Sequence, residues 1–252
     1  MNKNKTIQGI KRNALEDTYF IALSVDVEKE QKTEFKMGIK QQLTGGLELL
    51  IEQGSVKTIS VYSHNKAVEK HGEFPSWKYL ILIEIKHRAV ADRIVQTIKE
   101  INIFSHIETI RMELLVTTPN STYPIPGEGA RKRLVKPFYA VEYVDVKKEY
   151  LDEFREIMIT NNGPAMKYII EHKKWCYNFY ALETVSVFYH NPNYPTWNQV
   201  HVIGLYPEAM NQYKKDFSRG LELANNISFE ENFTRLKKIR TMLYKSFGGK
   251  IL

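Results

Sequence analysis

The chain has 252 residues, 43% of them apolar, and a formal net charge of +7, so it is long enough for one large or two ordinary domains with a buried core. No run approaches 18 consecutive apolar residues, and Met1-Asn2-Lys3-Asn4-Lys5 lacks the apolar segment of a secretory signal, so a soluble, cytoplasmic protein without membrane contact is expected. The sole cysteine, Cys176, excludes an internal disulfide and reads as a buried thiol rather than a nucleophile. Basic residues alternate with acidic ones along the apparent helices, and the one basic cluster, Arg131-Lys132-Arg133 with Lys136, has no interleaved aromatics, which argues against nucleic-acid binding.

Residues 1–17 read as a polar lead-in. Tyr19 to Val27 is rich in β-branched and aromatic residues and predicts a strand. From Glu28 to Gln53, Phe35, Ile39, Leu43, Leu47, Leu50 and Ile51 recur every three to four residues and predict an amphipathic helix, interrupted by Gly45-Gly46. Lys57 to Asn65 predicts the next strand, and a polar loop follows. Lys78 to Lys86 is almost continuously apolar, as in a strand covered on both faces. Helical spacing returns from Ala89 to Ile101, and strand character from His106 to Thr117. This β-α-β-β-α-β order is the ferredoxin-like split unit, predicted over 18–117. A Pro- and Gly-rich linker occupies 118–137; its Gly127-Glu128-Gly129 reads as a turn, since it does not lead from a strand into an apolar helix.

A second copy is predicted over 138–252. Val25-Asp26-Val27 matches Val144-Asp145-Val146 at an offset of 119, and the aromatic turn Pro75-Ser76-Trp77 matches Pro195-Thr196-Trp197 at 120. Ile59-Ser60-Val61-Tyr62-Ser63-His64-Asn65 returns as Val185-Ser186-Val187-Phe188-Tyr189-His190-Asn191 at 126, and Ile110-Arg111 as Ile239-Arg240 at 129. Gly163-Pro164 falls near the position of Gly45 and predicts a break in the matching helix.

A four-stranded sheet with helices on one face leaves the other face bare, and the sister copy would cover it. In this the chain resembles the dimeric α/β-barrel superfamily in its tandem, single-chain form, whose members include antibiotic-biosynthesis monooxygenases, EthD-like proteins, stress-responsive barrel proteins and chlorite dismutase-like haem proteins. The resemblance spans roughly residues 18–250 and rests on topology, length and the internal repeat. It implies an α+β fold of two tandem ferredoxin-like domains packed sheet to sheet as a pseudo-dimeric barrel, with ligands held between the sheets.

Strand alternation sorts the side chains. Tyr62 and His64, with Phe188 and His190, are expected to line the interior, joined by Trp77 with Tyr79 and Ile81, and by Trp197 with Gln199 and His201. The copies are unequal: Leu23, Ser24, Tyr79 and Ile81 become Glu142, Tyr143, Gln199 and His201, which predicts one ligand site in the C-terminal half. There His190 or His201 would serve as general base and Arg240 would stabilise the resulting anion, with Glu142, Tyr143, Trp197, Gln199, His64, Tyr62 and Trp77 shaping the cavity. Arg111 and Arg240 would take a carboxylate from Glu142, Asp26 or Asp145. The plainer readings stand beside these: His64 and His190 as strand-end residues bonded to backbone, Trp77 and Trp197 as packing. A metal on His190, His201 and Glu142 has no spacing motif behind it and is not expected.

The function so read is a small-molecule-binding barrel, as a cofactor-independent monooxygenase or isomerase on an aromatic or polycyclic substrate. Two alternatives stay open: a non-catalytic barrel filled by its own aromatics whose outer surface mediates association, homo-oligomers included, and a haem-binding chlorite dismutase-like enzyme, a resemblance that implies an axial His in the C-terminal half, where His172 at a helix end and His190 on a strand both lie outside any stretch matching that family. Apart from that haem, no cofactor is expected.

Overall fold

The computed structural model describes residues 17–105 and 107–252. The predicted lead-in before Asp17, and His106 at the start of a predicted strand, lie outside the described residues.

The first half runs β1 (Tyr19–Asp26), α1 (Lys32–Gly46), α2 (Glu48–Glu52), β2 (Val56–Ser63), β3 (Lys66–Lys70), β4 (Tyr79–Ile85), α3 (Ala91–Glu100) and β5 (Glu108–Tyr123). After a short α4 (Glu128–Arg131), the second half runs β6 (Phe138–Val146), α5 (Leu151–Ile157), α6 (Gly163–His172), β7 (Cys176–His190), β8 (Gln199–Leu205), α7 (Ala209–Asn225), α8 (Phe229–Ile239) and β9 (Arg240–Gly248). The order β2-β4-β1-β5-β7-β8-β6-β9-β3 places the ferredoxin-like order of strands in each half. Because β3 continues β2, the two ends of this order are one stretch of chain and the sheet closes. Ser63 N–H bonds Gly249 O at 2.9 Å and Ile251 N–H bonds Val61 O at 2.8 Å across the seam. A Cβ on Gly248 would sit 1.5 Å from Ser63 O, so only glycine permits this approach. The fold is the predicted one, two ferredoxin-like halves closed into a single barrel.

Three apolar layers result. α1, α2 and α3 cover the outer face of the first half through Phe35, Ile39, Leu43 and Ile94. The helices of the second half cover its sheet through Phe154, Ile157, Met166 and Leu221. The lumen is filled from both halves by Phe20, Tyr62, Trp77, Tyr143, Trp197 and Tyr244 among others. β4 is apolar on both faces because helices cover one and the lumen the other.

The structural repeat differs in register from the one suggested by sequence. His64 N–H bonds Lys78 O as Thr184 N–H bonds Asn198 O, and Ser63 faces Tyr79 as Glu183 faces Gln199. The offset here is therefore 120 throughout, and His64 corresponds to Thr184, whereas His190 corresponds to Lys70: Lys70 sits opposite Tyr244 and His190 opposite Arg111. A slip of six residues preserves side-chain alternation, so the matching pattern could not reveal it. Likewise Arg240 pairs with Val146 while Arg111 pairs with Ser24, so these arginines are not counterparts. The part of β7 that overruns its own half leaves Val187 and Tyr189 exposed and packs Phe188 against the first-half core, instead of placing Phe188 in the lumen.

The linker begins later than predicted, since β5 continues to Tyr123 after a wide irregularity between Thr117 and Thr122. Asn120, at φ 51°, turns the chain there, its side chain bonding Ile159 O while Ser121 Oγ bonds Met158 O. Those acceptors belong to a π-helical turn, Met158–Asn162, which stands where Gly163-Pro164 predicts a break. A Cβ on Gly163 would lie 1.9 Å from Asn120 O, so glycine is required for the bulge to lie against the turn. In the basic connector Lys132 pairs with Glu128 and Arg133 with Glu208. No described helix is long and apolar enough to cross a membrane.

Candidate functional site

The residues expected to form one site fall on opposite faces of the sheet. Tyr62, His64, Tyr143, Trp77 and Trp197 face the lumen. Glu142, Gln199 and His201 lie on the helix-covered face of the second half, where Phe154 stacks parallel to the His201 ring (6.4 Å, 6°) and Phe179 meets its edge at 6.1 Å. The expectation that Trp77 shares a face with Tyr79 and Ile81, and Trp197 with Gln199 and His201, fails for one reason. Each tryptophan lies in the loop before its strand, where alternation has not begun. Tyr79 and Ile81 belong to the first-half helix layer.

In the lumen Trp77 and Trp197 stack at 5.4 Å and 18°. Beside Trp77, Ser24 Oγ donates to the Tyr143 hydroxyl at 3.2 Å, Tyr143 donates to His64 Nε2 at 3.1 Å, and His64 Nδ1 donates to Ser246 Oγ. Burial, and then the Lys78 charge, push His64 down to about 3, so the ring is neutral and fully hydrogen-bonded. His64 is thus a structural residue bonded to side chains rather than to a backbone carbonyl, and it has no free nitrogen for a ligand.

Beside Trp197 stands a charged counterpart that the sequence reading did not assemble. Arg111 Nε donates to Glu113 Oε2 at 3.0 Å and Arg111 Nη2 to Trp197 O at 2.8 Å. Trp197 Nε1 and Thr184 Oγ1 also donate to Glu113, at 2.6 and 2.8 Å. Burial drives the Glu113 carboxyl upward against the pull of Arg111 and these donors. The carboxylate for Arg111 is therefore Glu113, not Glu142, Asp26 or Asp145. The signal in the sequence was Arg111-x-Glu113, two like-facing positions on one strand. His190, half-buried at the tip of β7, sets its ring edge against Trp197 at 6.3 Å and stands apart from His201.

The second helix layer holds a different constellation. Glu142 faces His201 on β8 and Lys245 on β9. His201 Nδ1 donates to Glu142 Oε2 at 3.3 Å, and Lys245 Nζ reaches Oε1 at 2.8 Å. Burial alone would raise the Glu142 carboxyl, but Lys245 and then His201 hold it well below the usual carboxylate range. Glu142 in turn raises Lys245, whose burial works the other way. Arg240, its guanidinium 5.8 Å from the Phe154 ring, also feels the Glu142 charge while burial lowers its pKa. His201 is 3% and Gln199 4% exposed, yet neither His201 Nε2 nor Gln199 Oε1 has a hydrogen-bond partner among the described residues. Each such atom costs about 1–3 kcal/mol. A carboxylate-oriented imidazole with its second nitrogen free is chemically a base.

No protein-family model matches the chain, and no curated protein matches it. Among solved structures it is similar to a tryptophan-to-phenylalanine mutant of chlorite dismutase from Candidatus Nitrospira defluvii in complex with cyanide, at TM-score 0.50 and 11% identity over 92% of this chain and 90% of that one. It is equally similar to the same enzyme in complex with imidazole, at TM-score 0.50 and 10% identity over 93% and 92%. At these identities the likeness is one of fold alone.

The haem implied by the chlorite dismutase-like fold does not fit these residues. His172 is exposed at the end of α6 with Nδ1 on Tyr168 O, and His190 lies at the Trp197 end of the lumen beside the Arg111 charge. His201 has a free nitrogen, but the Phe154 ring lies parallel to its own at 6.4 Å and Phe154, Ile157, Met166 and Ile169 fill the layer at 0–4% exposure, where a macrocycle would need a slot. Among the described residues no group of three or more His, Cys, Asp or Glu side chains could hold a metal ion.

Proposed function

We infer that the protein binds a small molecule between the sheet and helices of its second half and handles a proton there through His201. The observation that carries this is the His201 imidazole, buried, tied by Nδ1 to Glu142 and left with a bare Nε2. A ligand with an acidic phenolic or enolic O–H, or an enolisable C–H, would give its proton to Nε2. Glu142, held ionised by Lys245, would stabilise the imidazolium, Arg240 the ligand anion, and Gln199 Oε1 would accept one further donor. Returning the proton to a different atom is an isomerisation; passing the anion to dioxygen is the first step of a cofactor-independent oxygenation. A small ligand would enter by displacing Phe154, which is carried on the seven-residue α5 that runs into the π-helical turn, a kind of turn frequent at functional sites.

The test is 4-nitrophenol added to the full chain at a pH near its own pKa. Growth of the phenolate absorbance band supports the reading. His201→Gln should abolish the growth, and His190→Ala should leave it intact; the reverse pattern would move the site into the lumen. The filled lumen supports a second role for the barrel itself, as a scaffold whose aromatic interior is structural.

A further inference from the structure

The lumen has two unlike ends. At one, Trp77, Trp197, Tyr194 and Phe74 form a plug. At the other, a cleft of about 240 Å³ opens between the start of β1, the end of β4 and the β5 bulge. Phe20 and Tyr180, in edge-to-face contact at 6.1 Å, form its apolar floor. Asp17 and Glu84 supply two carboxylates, and no described residue lining the cleft is basic, although the chain as a whole carries +7. Thr118, 2% exposed, lines the cleft with its Oγ1 lacking any partner among the described residues. It stands on the bulge that Asn120 and Ser121 anchor to the π-helical turn, and bulges commonly re-aim side chains toward ligands.

The carboxylates are only lightly engaged. Glu84 accepts from Thr58 Oγ1 at 3.1 Å and meets Lys57 Nζ at 3.7 Å, an exposed pairing of the kind that contributes little. Asp17 Oδ2 accepts from the Tyr19 hydroxyl at 3.3 Å. Aromatic rings beside carboxylates and an unpartnered hydroxyl suit an ammonium group on an apolar stem, by charge, hydrogen bonding and cation–π contact together.

We propose that this open end of the barrel is a second binding site, for a small organic ammonium ion, with Glu84 and Asp17 neutralising the cation, Thr118 accepting one of its N–H groups, and Phe20 and Tyr180 holding its apolar stem. The site is separate from the His201 layer and does not depend on it.

Calorimetric titration of the full chain with benzylammonium, benzyl alcohol and benzoate tests it. Benzylammonium should bind, weakening as salt is raised, while the neutral and anionic analogues bind at least tenfold more weakly. Glu84→Gln should weaken the ammonium at least tenfold, Thr118→Val about threefold, and His201→Gln should change nothing. Asp17→Asn provides a second charge-neutralising variant, and near-ultraviolet circular dichroism confirms that each is folded. Equal binding of benzyl alcohol or benzoate, no binding of benzylammonium, or unchanged affinity in both folded Glu84→Gln and Asp17→Asn would overturn the proposal.

Discussion

The two helix-covered layers use the same fold to opposite ends. Under the first-half helices the central positions are Leu23, Ile81 and Met112, all buried and apolar. Their register counterparts under the second-half helices are Glu142, His201 and Lys245. Both layers fold, so the charges are not needed to hold a ferredoxin-like half together. A buried ion pair is weak support for stability compared with apolar residues of like volume. Stability therefore gives no reason for the three ionisable groups and two unpartnered atoms of this layer, and the role proposed for His201 would supply one.

The comparison breaks most sharply when the pair is broken. Glu142→Gln leaves Lys245 and His201 without their anion and should cost about 3–5 kcal/mol in urea denaturation. Importing the first-half residues as the triple variant Glu142→Leu, His201→Ile, Lys245→Met should instead keep or raise stability by about 1–4 kcal/mol and abolish nitrophenol binding. If the triple variant is as unstable as the single one, the charges are structural and the functional reading of this layer is lost.

Acid should separate the two lumen sites next. His64 is held neutral with its pKa at about 3, below an unfolded value of about 6.5, so the unfolded chain binds the extra proton between those limits. The stability it contributes is present above about pH 6.5 and is lost as pH falls toward 3, with a slope approaching about 1.4 kcal/mol per unit. Thr184, its counterpart, cannot titrate. His64→Gln should flatten that part of a pH–stability profile; an unchanged slope would show that the ring takes up its proton while folded. Glu142, depressed in the folded state, adds a loss only below about pH 4.3, the ordinary glutamate value.

The stacked tryptophans give a smaller contrast. Trp197 Nε1 donates to the Glu113 carboxylate, whereas Trp77 Nε1 has only the neutral Tyr143 hydroxyl beside it. Trp197→Phe should therefore cost about 1–3 kcal/mol more than Trp77→Phe, measured by thermal unfolding. The smallest effect is expected at His190: half-buried at a strand tip, its replacement by alanine should shift stability by about 0.5 kcal/mol or less.

Much of the architecture is legible from residues alone. The periodicity of Phe35, Ile39 and Leu43, the apolar run Tyr79–Ile85 and the paired aromatic turns prescribe two ferredoxin-like halves, because burying such surfaces admits few arrangements. The inequality of the halves is also legible, since Glu142 and His201 stand where leucine and isoleucine stand in the first copy. What tertiary structure alone decided is the register and the face. A strand matched six residues out of place keeps its inward and outward sets, so His190 could stand in for Thr184 without any local penalty. Only the ladder hydrogen bonds of the closed barrel, with the irregularities in β5 and the loops that carry Trp77 and Trp197, separate the lumen from the helix layer and send His64 to one and His201 to the other.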